Sequence, residues 1–171
     1  LAHDARGDAP LAGADPMALA QGLAHGSAVE RALALAAINA MTTSVWRRVG
    51  YHPPEAGNSL GNVALGPNDH LGMIGFFPPL VDRVARTGGR LTVVELDRAM
   101  VARQQARFPD VHITLDRAAL VDCTTMVGTS TMLLNDTLDA MLAAAPRARQ
   151  FAVIGPSAGL WPDALFSRGI T

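Results

Sequence analysis

The feature that most constrains the fold is an alternation of short apolar runs and helical segments, which begins near residue 70 and continues to the end of the chain. The runs LGMIGF, RLTVVEL, LVDCTTMVG and RQFAVIG contain β-branched residues, and a segment of helical character follows each of them. Buried strands that alternate with helices form a parallel sheet with crossover helices. We therefore predict an α/β fold with at least four parallel strands.

The segments between these runs are predicted as helices, with VHITL as a short strand or a loop. Two prolines, Pro78 and Pro79, fit the first turn of the first of these helices, where the missing N–H costs no hydrogen bond. The stretch STMLLNDTLDAMLAAAP, residues 130–146, is predicted as one helix. Asn135 and Asp136 would then lie within it, about one turn from its start.

A capping box predicts another helix ahead of the alternation. Ser27 and Glu30 stand in the S-x-x-E relation, and small or apolar residues fill most positions behind them. We predict a helix over residues 27–43 that is buried on several sides. A short helix capped by Asp15 is expected before it, and residues 46–70, rich in proline and glycine, are expected to form a loop.

Charge and composition exclude several classes of function. The net charge of -1 argues against neutralising nucleic-acid phosphates, and no apolar run approaches the length that spans a bilayer. A single cysteine, Cys123, allows no intrachain disulfide, which suits a cytoplasmic protein, and its apolar surroundings predict a buried side chain. The chain does not begin with Met and stops where a new strand would start, so we expect a trimmed piece.

Glycines, an acid and hydroxyls follow the ends of the predicted strands. Ligands of open parallel sheets lie at the carboxyl ends of the strands, near the point where the strand order reverses. Glu95 stands where Rossmann-type proteins hold an acid for ribose hydroxyls, although a capping or surface carboxylate is an equally good interpretation. The candidate ligand-binding residues are Gly75, Phe76, Phe77, Pro78, Glu95, Gly128, Thr129, Ser130, Asn135, Gly155, Pro156 and Ser157.

Established nucleotide and metal motifs are missing from the sequence. There is no G-x-G-x-x-G, no G-x-x-x-x-G-K-[ST], and no H-x-x-H or H-E-x-x-H spacing. A metal site would need ligands from distant segments, and His70 and Asp69 are the candidates. The GFFPP turn at residues 75–79 is better suited to an apolar or stacking contact with a flat ligand than to a phosphate.

Several blocks resemble the bacterial and archaeal family labelled "putative heavy-metal chelation domain". The blocks occur in family order over most of residues 28–171, and the GFFPPLV and TST-LLN-T pieces are specific to it. They are ERALALAAINAM, GMIGFFPPLVDRV, LTVVELD, VGTSTMLLNDTLDAML and VIGPSAGLWPDALFSRGIT. The family turn often has His where this chain has Phe76 or Phe77, which removes a group that could ligate metal or transfer protons.

The resemblance implies a Rossmann-like three-layer domain behind a smaller, enolase-N-terminal-like α+β domain. On this interpretation residues 1–45 are the helical remnant of the smaller domain, 46–69 a linker and 70–171 a Rossmann-like domain cut short at its C-terminal end. The cleft between the domains would hold the candidate residues, and Asn39 could reach it. The implied function is binding of a small molecule, as an enzyme or a carrier in metal-chelator or pterin-like metabolism.

Two further functions stay open from the sequence. One is non-catalytic binding of a metal or metal chelate, and the other is a methyltransferase-like enzyme with S-adenosylmethionine on Glu95. The expected cofactor is accordingly a divalent metal or an S-adenosylmethionine-like nucleotide. The expected partner is a small molecule or chelate, with a homo-oligomer also open, and neither nucleic acid nor a membrane is expected.

Overall fold

Five parallel strands form the centre of the structure, a computed structural model that describes residues 11–54 and 65–170. They lie side by side in the order β3-β2-β1-β4-β5, so the third strand of the chain and the fifth form the edges. This arrangement confirms the predicted α/β fold, and VHITL supplies the short edge strand. The strands are β1 His70–Ile74, β2 Arg90–Val94, β3 His112–Thr114, β4 Thr125–Thr129 and β5 Gln150–Ile154.

Helices precede the sheet and connect its strands. Two short 3-10 turns, Arg117–Leu120 and Ser130–Leu133, flank β4. The short helices α1 and α2 pack against the long helix α3, ahead of the sheet. The helices are α1 Pro16–Ala20, α2 Gly22–His25, α3 Ala28–Val49, α4 Pro78–Thr87, α5 Arg98–Arg107, α6 Leu138–Ala144 and α7 Asp163–Phe166.

Helix α3 starts at the predicted capping box. The Ser27 hydroxyl accepts from the Glu30 N–H at 3.4 Å, and the Ser27 N–H donates to Glu30 Oε2 at 2.7 Å. These bonds also lower the pKa of Glu30. The helix runs to Val49, so the first residues of the predicted loop are helical. Gly50, in the left-handed conformation with φ 67°, ends it as a C-terminal cap.

The predicted single helix over residues 130–146 is wrong. The chain first makes the 3-10 turn Ser130–Leu133, and α6 begins only at Leu138. Between them Asp136 adopts φ 58°, a left-handed conformation that interrupts a right-handed helix. Asn135 and Asp136 are therefore exposed turn residues rather than helical ones.

Part of the sequence prediction lies outside the described residues. These parts are the expected loose start up to residue 10 and positions 55–64 of the expected loop. The partition into 1–45, 46–69 and 70–171 stays a prediction.

Apolar side chains on both faces of the sheet explain why it is covered on both sides. One face packs against α4 through Leu80, Val81 and Val84. The other packs against α6 and the segments around it, as expected for a parallel sheet whose strands are buried on both faces. That second cluster contains Ile74, Val94, Leu120, Cys123, Met126, Met132, Leu138, Met141, Ala145, Phe151 and Ile170.

Cys123 is fully buried in that cluster, as predicted, and burial raises the pKa of its thiol to about 11. The thiolate is the reactive form, so we expect the folded protein to resist iodoacetamide at mildly alkaline pH. Denaturant should restore rapid labelling, which mass spectrometry of the intact protein would measure. Labelling of the folded protein as fast as that of free cysteine would contradict the burial of this thiol.

Candidate functional site

The candidate site lies where the strand order reverses, between the carboxyl ends of β1 and β4. The chain leaves β1 toward β2 on one side and returns to β4 on the other. At such a position open parallel sheets commonly bind ligands in a crevice, and we term this position the switch-point crevice. Ile74, the last residue of β1, is level with Val94 of β2 and Gly128 of β4. The segments that follow β1, β2, β4 and β5 thus share one edge of the sheet.

Gly75 begins the turn that follows β1 at this position. Its φ of 81° belongs to the left-handed region, and its N–H donates to the Val94 carbonyl at 2.9 Å. A Cβ here would lie 3.2 Å from Thr129 Cγ2, so the turns after β1 and β4 approach each other closely. A side chain at position 75 would therefore be both strained and crowded.

The Glu95 carboxylate is fixed by the backbone at the end of β2. Its Oε2 accepts from the Phe76 N–H at 3.0 Å and its Oε1 from the Leu96 N–H at 2.9 Å. Each carboxylate oxygen can accept more than one hydrogen bond, so both keep capacity for a ligand donor. Glu95 is half-buried, which places a held acceptor at the rim of the crevice.

The hydroxyls after β4 are largely engaged with the protein. Thr129 Oγ1 accepts from the Thr131 N–H at 3.3 Å, and the Thr129 and Thr131 hydroxyls bond to each other. Ser130 is buried, with its hydroxyl facing Gly155 after β5. Ser130 therefore supports the turn from inside, while Thr129 and Thr131 are half-buried at the edge.

Helix α3 reaches the turn after β5 through Asn39. The Asn39 Nδ2 donates to the Ser157 carbonyl at 3.1 Å. Its Oδ1 is buried without a hydrogen-bond partner among the described residues, an unusual state for a side-chain oxygen. This contact places α3 beside the carboxyl edge of the sheet, and a role of Asn39 in a ligand cleft stays a prediction.

The predicted ligand-binding residues do not all face the crevice in the same way. Phe76 lies with its ring centroid 5.4 Å from that of Phe108, and both Phe76 and Phe77 pack against the core on the α4 face. Asn135 is exposed and accepts from the Thr137 hydroxyl at 2.7 Å. Gly128 is buried within β4. Gly155 and Pro156, which follow β5, are exposed.

The metal candidates lie at the opposite, amino edge of the sheet. Asp69 Oδ2 accepts from the Gly66 N–H at 2.8 Å, and this bond is the main reason that its pKa is lowered. His70 Nε2 bonds the Thr92 hydroxyl at 2.8 Å, and burial lowers the pKa of its ring. Residues 11–54 and 65–170 contain no group of three or more His, Cys, Asp or Glu that could hold a metal ion.

The sequence interpretation missed Arg31, a largely buried arginine on α3. Its side chain is 15% exposed and its Nη2 lies 3.5 Å from the Leu133 carbonyl after β4. One signal was available, since Arg31 is a lone charge in the otherwise uncharged stretch RALALAAINAM. A helix buried on several sides must bury such a charge or expose it along a narrow strip.

No helix in the described part of the chain is long and apolar enough to cross a membrane.

Comparison with known proteins gives one family match. The model of the DUF364 family, described as "Putative heavy-metal chelation", matches residues 58–171. No curated protein matches the chain.

Two solved structures share the fold. One is a DUF364-family protein of unknown function from Pyrococcus horikoshii, with 19% sequence identity and a TM-score of 0.74. The match covers 100% of this chain and 66% of the Pyrococcus protein. A family protein from Desulfitobacterium hafniense is 22% identical with a TM-score of 0.68, over 91% of this chain and 59% of that one. The chain therefore spans less than two thirds of the length of either protein.

Proposed function

The chain belongs to the family described as "Putative heavy-metal chelation", and from that premise and its geometry we propose that it binds a small organic ligand in the switch-point crevice. The family match confirms the resemblance found in the sequence blocks. The observation that supports the proposed site best is the Glu95 carboxylate, held by the N–H groups of Phe76 and Leu96 beside the turn at Gly75.

The held carboxylate suits a ligand that donates hydrogen bonds. Two backbone donors fix both oxygens before a ligand arrives, so little side-chain entropy is lost on binding. Hydrogen bonds to a charged acceptor contribute about 1.5–3 kcal/mol each, which is enough for one residue to govern affinity. The ligand would lie between this carboxylate and the turn at Thr129.

A nucleoside-bearing ligand such as S-adenosylmethionine is the second candidate, and the position of Glu95 favours it. An acid at the end of the second strand, about 20 residues beyond the glycine turn, binds ribose hydroxyls in Rossmann-type sites. Glu95 stands in that relation to Gly75. The turn itself lacks the three-glycine spacing, so the phosphate contacts of dinucleotide sites are not part of the proposal.

The described residues do not fit a resident metal ion. They offer no group of three ligating side chains, and Asp69 and His70 are engaged with Gly66 and Thr92 at the other edge. A metal carried within an organic chelate would need no such group, because the chelator supplies the donors.

A thermal-shift panel tests the proposed site. S-adenosylmethionine, flavin mononucleotide, a pterin and divalent metal salts are each added alone to the protein. We expect an organic compound to raise the melting temperature, and Glu95→Gln to weaken its binding by about 10- to 100-fold. A charged acceptor is lost, and the glutamine NH2 cannot accept from one of the two backbone N–H groups that hold the carboxylate. Isothermal titration would measure the affinities.

Asp97→Asn is the matched control for this substitution. Asp97 caps α5 by accepting from the Ala99 N–H at 2.8 Å, and asparagine keeps that cap. It removes the same charge two positions along the chain, without touching the Glu95 carboxylate. Equal affinity in the two variants would contradict a role for Glu95 in binding, and stabilisation by a metal salt alone, reversed by a chelator, would favour metal binding instead.

A further inference from the structure

A second cleft at the carboxyl edge contains an arginine whose charge is only partly satisfied by the protein. The cleft has a volume of about 260 Å³ and lies between α2, α3, the segment 132–139 and the segment 160–168. Arg31 contributes the cation, and its Nε is buried with no hydrogen-bond partner among the described residues. None of the residues that line this cleft is a predicted ligand-binding residue of the switch-point crevice.

The acceptors near Arg31 leave its charge poorly compensated. The Leu133 carbonyl lies 3.5 Å from Nη2, at the outer limit of a hydrogen bond. Asp136 Oδ1 forms an ion pair with Nη2 at 3.7 Å, too long for a hydrogen bond, and the Asp136 side chain is 88% exposed, so solvent weakens this pair. The other two charges of the cleft, Arg168 and Asp139, pair with each other.

A guanidinium in this state favours an anionic ligand. It carries five N–H donors, of which the buried Nε–H has no acceptor among the described residues. A buried donor without an acceptor is costly, so a bound carboxylate would relieve that cost. A carboxylate also matches the planar fork of a guanidinium, which it can accept through two parallel bonds. The walls of the cleft are largely apolar and include Leu133, Leu160 and Leu165.

We propose that Arg31 binds the carboxylate of an organic acid whose apolar part lies against Leu133, Leu160 and Leu165. The ligand class follows from the two parts of the cleft. One part is the Arg31 guanidinium, whose Nε–H has no acceptor among the described residues, and the other is the apolar wall. This site is separate from the Glu95 crevice, so the proposal stands or falls independently of the function proposed above.

Hexanoate and its neutral analogue hexanamide are the probes, with inorganic phosphate as an anion that has no apolar part. Each is titrated into isotopically labelled protein while the Arg31 Nε–H resonance is followed by NMR. We expect hexanoate to shift this resonance and to bind at least about tenfold more tightly than hexanamide or phosphate, because only hexanoate satisfies both halves of the cleft. Equal shifts with acid and amide, or none with the acid, would overturn the proposal.

Arg31→Gln gives the second readout, with Arg147→Gln as its control. Arg147 is exposed and pairs with Asp122 at 2.8 Å, away from this cleft. We expect Arg31→Gln to weaken hexanoate binding by about tenfold or more, and Arg147→Gln to leave it unchanged. An equal loss in both variants would show attraction by overall charge and would also overturn the proposal. The Nε–H titration of the unsubstituted protein decides the matter if Arg31→Gln does not fold.

Discussion

Gly155→Ala is expected to destabilise the protein strongly. The backbone at Gly155 has φ 129°, which side chains rarely adopt, and a Cβ there would lie 2.5 Å from the buried Ser130 hydroxyl. Backbone strain and overpacking each cost about 1–3 kcal/mol, so we expect the free energy of unfolding to fall by about 2–6 kcal/mol. Urea denaturation followed by circular dichroism would measure it. The same turn carries Ser157, whose carbonyl accepts from Asn39.

Two comparison variants separate the causes of this loss. Gly169 has φ 77°, and a Cβ added there would meet no atom of residues 11–54 and 65–170 within 4 Å, so Gly169→Ala reports backbone strain without a clash. Adding Ser130→Ala to Gly155→Ala removes the hydroxyl in the way and should recover part of the loss. An ordinary surface substitution changes the free energy of unfolding by less than about 0.5 kcal/mol. A change that small for Gly155→Ala would contradict the backbone conformation of this turn and its close approach to Ser130.

Met126→Ala is expected to destabilise the sheet core strongly. Met126 is completely buried on β4, and its sulfur occupies the space above Gly72 of the neighbouring strand. Removing such a side chain leaves a cavity and costs about 2–5 kcal/mol. The exposed Met17 is the control, since Met17→Ala should change stability by less than about 0.5 kcal/mol.

Gly72→Ala should destabilise the protein alone yet help the Met126→Ala variant. A Cβ at position 72 would clash with Met126 Sδ, so the single substitution overpacks the core at about 1–3 kcal/mol. In the double variant the added methyl group fills part of the cavity left by the methionine. We therefore expect a positive coupling of about 0.5–3 kcal/mol in a double-mutant cycle. Additive losses would contradict this contact.

The sheet could be predicted because buried parallel strands are continuous apolar runs, and those runs are visible in the sequence. The common edge for Gly75, Glu95 and Ser157 followed from the parallel strands alone, whereas the strand order, and with it the position of the switch point, is visible only in the structure. The capping box at Ser27 was equally local, since both of its hydrogen bonds join residues three positions apart.

Features that depend on distant contacts escaped the sequence interpretation. The break at Asp136 was hidden because STMLLNDTLDAMLAAA has helical composition throughout, and the left-handed residue appears only in the folded turn. The contact between the rings of Phe76 and Phe108 joins distant parts of the chain, and the sequence pattern did not predict it, while a contact of Phe76 with a flat ligand stays a prediction. Arg31 was missed because the exposure of a helical arginine depends on what packs against that helix.

Binding of a small organic ligand in the switch-point crevice is tested most directly by following amide chemical shifts with NMR. The compound of the thermal-shift panel that binds most tightly is titrated into isotopically labelled protein. We expect the shifts to concentrate at the N–H groups of Phe76, Leu96 and Thr131 and at the Asn39 side-chain amide. Shifts concentrated instead around His70 and Thr92 at the amino edge, or a panel without any organic binder at millimolar concentration, would contradict it.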